Sequence, residues 1–211
     1  MRKNLDKEML ELNTDMLEMS RLLEKAINGI LMGIQNKDEE IFKDFDKIVS
    51  EIGDLDSKIQ SNCLRILLEQ QPVATDFRRV SAGLKMITDI KRIGDQCNNI
   101  AKIILETDSD NDSKMFFEIE KISRATSDLV KEAIYAFIRN SAEDAQKVIE
   151  MDDAVDQEFI RIKEAMVEEI RKGKFDAELI VNIIIIARYF ERIADHGTRI
   201  ARWVIFSIKG E

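Results

Sequence analysis

Two segments of this chain, one near the end of each half, are nearly the same and lie 100 residues apart in the sequence. Residues 92–104 and 192–204 have the same residue at five matching positions. In the first segment these are Arg92, Ile93, Asp95, Ile100 and Ala101. The same offset pairs Asp76 with Asp176 and Val80 with Ile180. An internal repeat of this length predicts two copies of one structural unit.

The composition favours helices over strands in both units. The chain has 211 residues, of which 45% are hydrophobic, and it contains one proline and eight glycines. A strand-rich protein would need more turn residues than this. We therefore expect an all-α protein with a first repeat at residues 1–107 and a second at 108–211, joined by the polar stretch 107–113.

Apolar residues recur every three or four positions through most of the chain, which is the period of a helix with one buried face. Polar breaks, Pro72 and a potential cap at Ser141 divide this pattern into six long antiparallel helices. We expect two tandem three-helix bundles, side by side or end to end, with internal pseudo-symmetry. The predicted helices are Leu5 to Asn36, Asp38 to Gln71, Thr75 to Glu106, Phe116 to Ile138, Ala142 to Arg171, and Asp176 to Ile208.

The charge of the chain narrows the class of partner. The formal net charge is −9 at pH 7, and no run of basic residues stands alone. This balance argues against nucleic acid or an anionic membrane as the main ligand and favours cations or basic protein surfaces. The longest apolar run, residues 183–187, is too short to span a bilayer, and the first residues lack the apolar core of a signal peptide, so we expect a soluble cytoplasmic protein. Cys63 and Cys97 lack CxxC spacing and are expected to be reduced core residues.

Two pairs of acidic residues in the second half share one spacing. Asp152 and Asp156 are four residues apart, as are Glu191 and Asp195, so each pair lies on one helix face. On separate faces they would be ordinary solvated acids. If the pairs face each other across the bundle, four negative charges converge and favour an oxygen-rich site for a metal cation.

The first half carries a weaker version of this pattern. Asp95 matches Asp195, and we expect Asp54 to match Asp156. Under that match Ser50 and Lys91 stand where the other two acids would be. The ammonium group of Lys91 can neutralise this site without metal.

The motifs around these residues resemble those of a known family. The sequence Gln-Pro-Val-Ala-Thr-Asp-Phe-Arg-Arg-Val at 71–80, followed by residues 91–95 and their repeat at 191–196, resembles the PhoU family of phosphate-signalling proteins. The resemblance spans nearly the whole chain. It implies two three-helix bundles and clusters of divalent or iron-type metal ions. Carried over, the ligands fall on Asp152, Asp156, Glu191 and Asp195, with only Asp54 and Asp95 in the first repeat.

The resemblance also implies a regulatory role rather than a catalytic one. Proteins of this family act with a Pst-type phosphate transporter, notably its cytoplasmic ATPase, and with a phosphate-sensing histidine kinase. The implied role is a cytoplasmic adapter that lowers phosphate uptake and phosphate-starvation signalling when phosphate is plentiful, and we expect a homodimer. The alternative is a helical scaffold or metal-storage module with no role in phosphate handling.

The sequence offers little support for an enzyme. A ferritin-like di-iron site needs Glu-x-x-His on two helices, whereas the single histidine, His196, has Ile193 at that spacing. No phosphate-binding loop, Ser-His-Asp set or zinc-protease motif is present in the sequence. We expect His196 to face solvent or a helix interface, and Arg92 and Arg192 either to pair with nearby carboxylates or to face solvent.

Overall fold

The computed structural model describes residues 2–36, 41–42, 44–107, 117–173 and 176–210, and the all-α prediction is confirmed. These residues form six long helices and no strand. A π-helical turn, Ile66–Gln70, continues the second helix toward Pro72. The predicted helix starts at Asp38 and Phe116, and the linker beyond Thr107, lie outside the described residues. The helices are α1 (Arg2–Asn36), α2 (Phe45–Arg65), α3 (Ala74–Glu106), α4 (Phe117–Arg139), α5 (Ala142–Lys172) and α6 (Ala177–Lys209).

The ends of α5 and α6 follow the predicted local chemistry. The hydroxyl of Ser141 accepts a hydrogen bond of 3.1 Å from the backbone N–H of Asp144, so Ser141 caps the start of α5. Gly173 ends α5 with a φ of 62°, a left-handed conformation that glycine adopts at little cost. Asp176 accepts a hydrogen bond of 3.3 Å from the N–H of Leu179 and so caps α6. These ends make the connection between the two helices short and their packing antiparallel.

Each half of the chain folds into three packed helices. Helix α1 packs against α2 and α3, and α4 packs against α5 and α6. The two bundles lie side by side, because α3 packs against α6 and α1 packs against α4. The buried apolar side chains of all six helices form one continuous cluster, so the two repeats share a single hydrophobic core. This arrangement makes the contact between the repeats part of the folded core.

Helices α3 and α6 run antiparallel over their whole length. The side chain of Arg78 donates to the carbonyl of Ser207 at 3.5 Å near one end. The side chain of Asn182 donates to the hydroxyl of Thr107 at 2.9 Å near the other end. The pair of helices therefore forms the spine along which the two repeats meet.

Two further sequence expectations concern cysteines and membrane spans. Cys63 and Cys97 are buried and form no disulfide, as predicted, and burial raises the pKa of each thiol to about 12. None of the described helices combines the length and the apolarity that a bilayer crossing requires.

Candidate functional site

The acidic residues of the second repeat lie on the facing surfaces of α5 and α6. The pKa of the Asp152 carboxyl is raised to about 6, mainly by burial and then by the negative charges of Asp156 and Asp195, while Arg202 opposes them. Asp195 lies on α6 and the other two carboxylates lie on α5. The two predicted acid pairs therefore influence each other across the helix–helix contact.

The carboxylates share this surface without converging on one point. Asp156 and Asp195 are exposed, and the half-buried Glu191 pairs with Arg188 on its own helix. No group of three or more Asp, Glu, His or Cys side chains in the described part of the chain is placed closely enough to hold a metal ion. Carboxylate oxygens are suitable ligands for a hard divalent cation. In this structure, however, the carboxylates are spread apart, as charges that repel one another are.

In the first repeat, the acid that lies next to Lys91 is Asp56, and the predicted match of Asp54 to Asp156 stays a prediction. Asp54 is exposed, whereas Asp56 is buried and its Oδ2 lies 4.0 Å from the Nζ of Lys91. Asp95, the counterpart of Asp195, is exposed.

Ser50, the predicted match to Asp152, lies on α2 two positions before Ile52. Ile52 is buried, and its Cδ1 lies 3.0 Å from the position that a Cβ on Gly94 would occupy. Ser50 is exposed. The first repeat therefore has Lys91 at the position that Glu191 occupies in the second.

A buried polar contact joins the two repeats next to the acidic surface. The Nδ1 of His196 lies 2.8 Å from the Oδ1 of Asp89, and both residues are buried between α6 and α3. The Nε of Arg199 lies 3.4 Å from the same oxygen. His196 is thus an interface residue, and the structure directs it away from the metal-ligand role. The sequence did not point to Asp89; the signal for it was its place on the same helical face as Lys85 and Arg92, four residues after the first and three before the second.

The two arginines of the motif at residues 71–80 also connect the repeats. Arg78 contacts the end of α6 through the carbonyl of Ser207. The guanidinium of Arg79 lies 5.3 Å from the ring centroid of Phe137 on α4 and donates to the side chain of Asn13 on α1 at 3.2 Å. This motif therefore holds the start of α3 against three other helices.

Comparison with solved structures shows the same architecture in another protein. The crystal structure of PhoU from Pseudomonas aeruginosa matches with a TM-score of 0.88 at 27% sequence identity, covering 98% of this chain and 99% of that one. The match includes both bundles. The side-by-side arrangement of the repeats is therefore that of an experimentally determined fold.

Curated relatives match over almost the full length. The phosphate-specific transport system accessory protein PhoU homolog of Pseudomonas aeruginosa is 28% identical over 204 residues, covering 96% of this chain and 84% of the relative. The homolog of the same name from Clostridium acetobutylicum is 26% identical over 211 residues, covering 100% and 96%. The family model described as PhoU domain matches residues 16–104 and 119–204, one segment in each repeat. This chain belongs to the PhoU family.

Proposed function

We propose that this protein is an accessory, regulatory protein of phosphate transport. The observation that carries the proposal is the similarity of nearly the whole chain to proteins named as accessory to a phosphate-specific transport system. Both repeats contribute to this similarity, since each matches the PhoU domain. The proposed role is non-catalytic: the protein lowers phosphate uptake and phosphate-starvation signalling when phosphate is plentiful.

In this proposal the protein is a cytoplasmic adapter. Its partners are the ATPase of a Pst-type transporter and a phosphate-sensing histidine kinase, and it acts as a homodimer. The arrangement of the helices supports an adapter, because two side-by-side bundles with helices of 31 to 35 residues offer long lateral faces to other proteins. A rigid shared core keeps these faces in fixed relation to one another.

The regulatory role is tested by deleting the gene in its native host. At high external phosphate, we expect the deletion strain to take up more phosphate than the wild type and to express starvation genes. We expect the wild-type gene to restore repression in that strain. Unchanged uptake and expression at high phosphate would contradict the role and favour a scaffold or metal-storage module. Co-purification with the transporter ATPase, measured against an unrelated ATPase of the same host, tests the proposed partner.

We further propose that Asp152, Asp156, Glu191 and Asp195 hold a divalent or iron-type cation. The support is chemical: the carboxylates are hard oxygen donors, and the pKa of Asp152 already reflects burial and the charges of Asp156 and Asp195. A bound cation would supply positive charge to this surface. In the first repeat, Asp54 and Asp95 are proposed only as a weaker site, because Lys91 occupies the position of Glu191 and lies 4.0 Å from Asp56.

The cation proposal is tested by calorimetric titration of metal-free protein with Mn²⁺. We expect binding to the wild type, and a loss of affinity of about tenfold or more in Glu191→Gln and in Asp156→Asn, since each change removes an anionic ligand. Glu164→Gln is a matched control, because Glu164 is an exposed residue of α5 that forms no ion pair with any described residue. Equal affinity in all four proteins would rule out these residues as ligands.

A further inference from the structure

Four cationic side chains surround the buried Asp89–His196 contact on the outer side of α3 and α6. On α3, Lys85 and Arg92 lie four residues before and three residues after Asp89. On α6, Arg192 and Arg199 lie at the same spacings before and after His196. Residues at these spacings share one helix face. Each helix therefore presents a cation on either side of the central contact.

The antiparallel register brings these cations together in pairs. Starting from the contact at Asp89 and His196, a step back along α3 corresponds to a step forward along α6. Lys85 is thereby level with Arg199, and Arg92 is level with Arg192. Seven residues of helix span about 10 Å, and packed helix axes lie about 9 Å apart. The four cations thus stand at the corners of a square roughly 10 Å on each side.

Three of these cations are available to an outside partner. Lys85, Arg92 and Arg192 are exposed, and none of them forms an ion pair with a described residue. Arg192 lies 5.9 Å from the ring centroid of Tyr189, and Arg199 is half exposed while it contacts Asp89. What sets these cations apart is that they lie around one contact between two helices. A local excess of positive charge remains over the groove.

We propose that this groove, lined by Lys85, Arg92, Arg192 and Arg199, binds an acidic helical segment of a protein partner. Carboxylates seven residues apart on one face of such a helix have the same spacing as the cations along α3 and α6. A nucleic acid fits poorly, because its continuous charge would also meet the exposed Asp95 and Asp195 beside the groove. A single phosphate ion is too small to engage corners about 10 Å apart.

The test uses a fluorescein-labelled alanine-based helical peptide with glutamates seven residues apart, and binding is followed by fluorescence anisotropy at low ionic strength. The first variant is the triple change Lys85→Gln, Arg92→Gln, Arg192→Gln. The control is Lys25→Gln, Lys47→Gln, Lys121→Gln, which removes the same charge from exposed positions on α1, α2 and α4. We expect the groove variant to bind about tenfold more weakly and the control to change by less than about threefold.

The competing outcomes are separated in the same experiment. A peptide with glutamines in place of the glutamates is expected not to bind, and its equal binding would overturn the proposal. Equal weakening in the two triple variants would show attraction to net charge only and would also overturn it. Displacement of the peptide by inorganic phosphate, at an ionic strength where chloride does not displace it, would show a free-phosphate site instead. The groove is distinct from the proposed cation surface, so Glu191→Gln is expected to bind the peptide like the wild type.

Discussion

His196 and Asp89 are 107 positions apart in the chain, and their side chains meet at 2.8 Å inside the contact between α6 and α3. Both residues are at least nine-tenths buried. A polar pair in such a place contributes to stability only while both partners are present, because either one alone is left buried without its hydrogen bond. The pair therefore ties the orientation of the two repeats to two specific side chains.

Replacing Asp89 with alanine is expected to lower the free energy of unfolding by about 2 kcal/mol, because His196 loses its buried partner and Arg199 loses its counter-charge. Urea denaturation measures the change. Thr88→Ala is the control, since Thr88 is the exposed neighbour on the same helix, and it is expected to change stability by less than about 0.5 kcal/mol. Equal stability of the two variants would show that the pair is not a structural link.

Two glycines in helices are expected to respond oppositely to alanine. A Cβ at Gly197 on α6 would lie 2.3 Å from Leu129 Cδ2, so Gly197→Ala should overpack the contact with α4 and cost about 1–3 kcal/mol. A Cβ at Gly53 on α2 would meet nothing within 4 Å, so Gly53→Ala should stabilise the protein by about 0.5–1 kcal/mol. Thermal unfolding of both variants measures the difference. A stabilising Gly197→Ala would contradict the close packing of α6 on α4.

The stability of metal-free protein is expected to depend on the titration of Asp152. Folding raises the pKa of this carboxyl from 3.8 to about 6, mainly through burial and then through the charges of Asp156 and Asp195. Between these values the native state binds more protons than the unfolded chain, so the free energy of unfolding falls as pH rises through this range. Above about pH 6 the stabilising proton is lost.

Asp152→Asn tests this dependence because an amide does not titrate. At pH 7 in a chelator the variant is expected to be more stable than the wild type by on the order of 1 kcal/mol, after allowance for the partial exposure of the carboxyl. At about pH 4 the difference should shrink. Urea denaturation at both values, with Glu164→Gln as the control, measures it. A wild type whose stability rises steadily from pH 4 to pH 7 relative to the variant would contradict the sign.

The two cysteines are expected to resist thiol reagents in the folded protein. Burial raises the pKa of Cys63 and Cys97 to about 12, so almost no thiolate is present at neutral pH and the sulfurs are shielded. A colorimetric thiol assay should detect both cysteines in denaturant and neither within minutes in buffer. Rapid reaction of one thiol in buffer would show local opening of its helix.

The fold was predictable because its signals are local or repeated. Apolar residues at helical spacing define each helix, and Ser141 and Asp176 cap helices through residues three positions away. The 100-residue offset then assigns the helices to two equivalent bundles. These patterns depend on neighbours in sequence, so they are visible without coordinates.

The site was only partly predictable because its contacts join distant helices. The spacing of Asp152 and Asp156 indicates a shared helix face, but not how closely they approach α6. In the first repeat, the spacing of the acids does not show that Asp56 rather than Asp54 is the one buried beside Lys91. The partner of His196 lies in the other repeat, and no local pattern identifies it.

The antiparallel packing of α3 on α6 gives this chain the geometry of a two-fold dimer within one polypeptide. In a true homodimer every substitution enters both copies, so a histidine facing an aspartate would occur twice around the axis. Here the positions that mirror Asp89 and His196 are Tyr189 and Gln96. Covalent fusion of the two copies allows each side of one interface to change alone, and the same freedom places Glu191 in one repeat and Lys91 in the other.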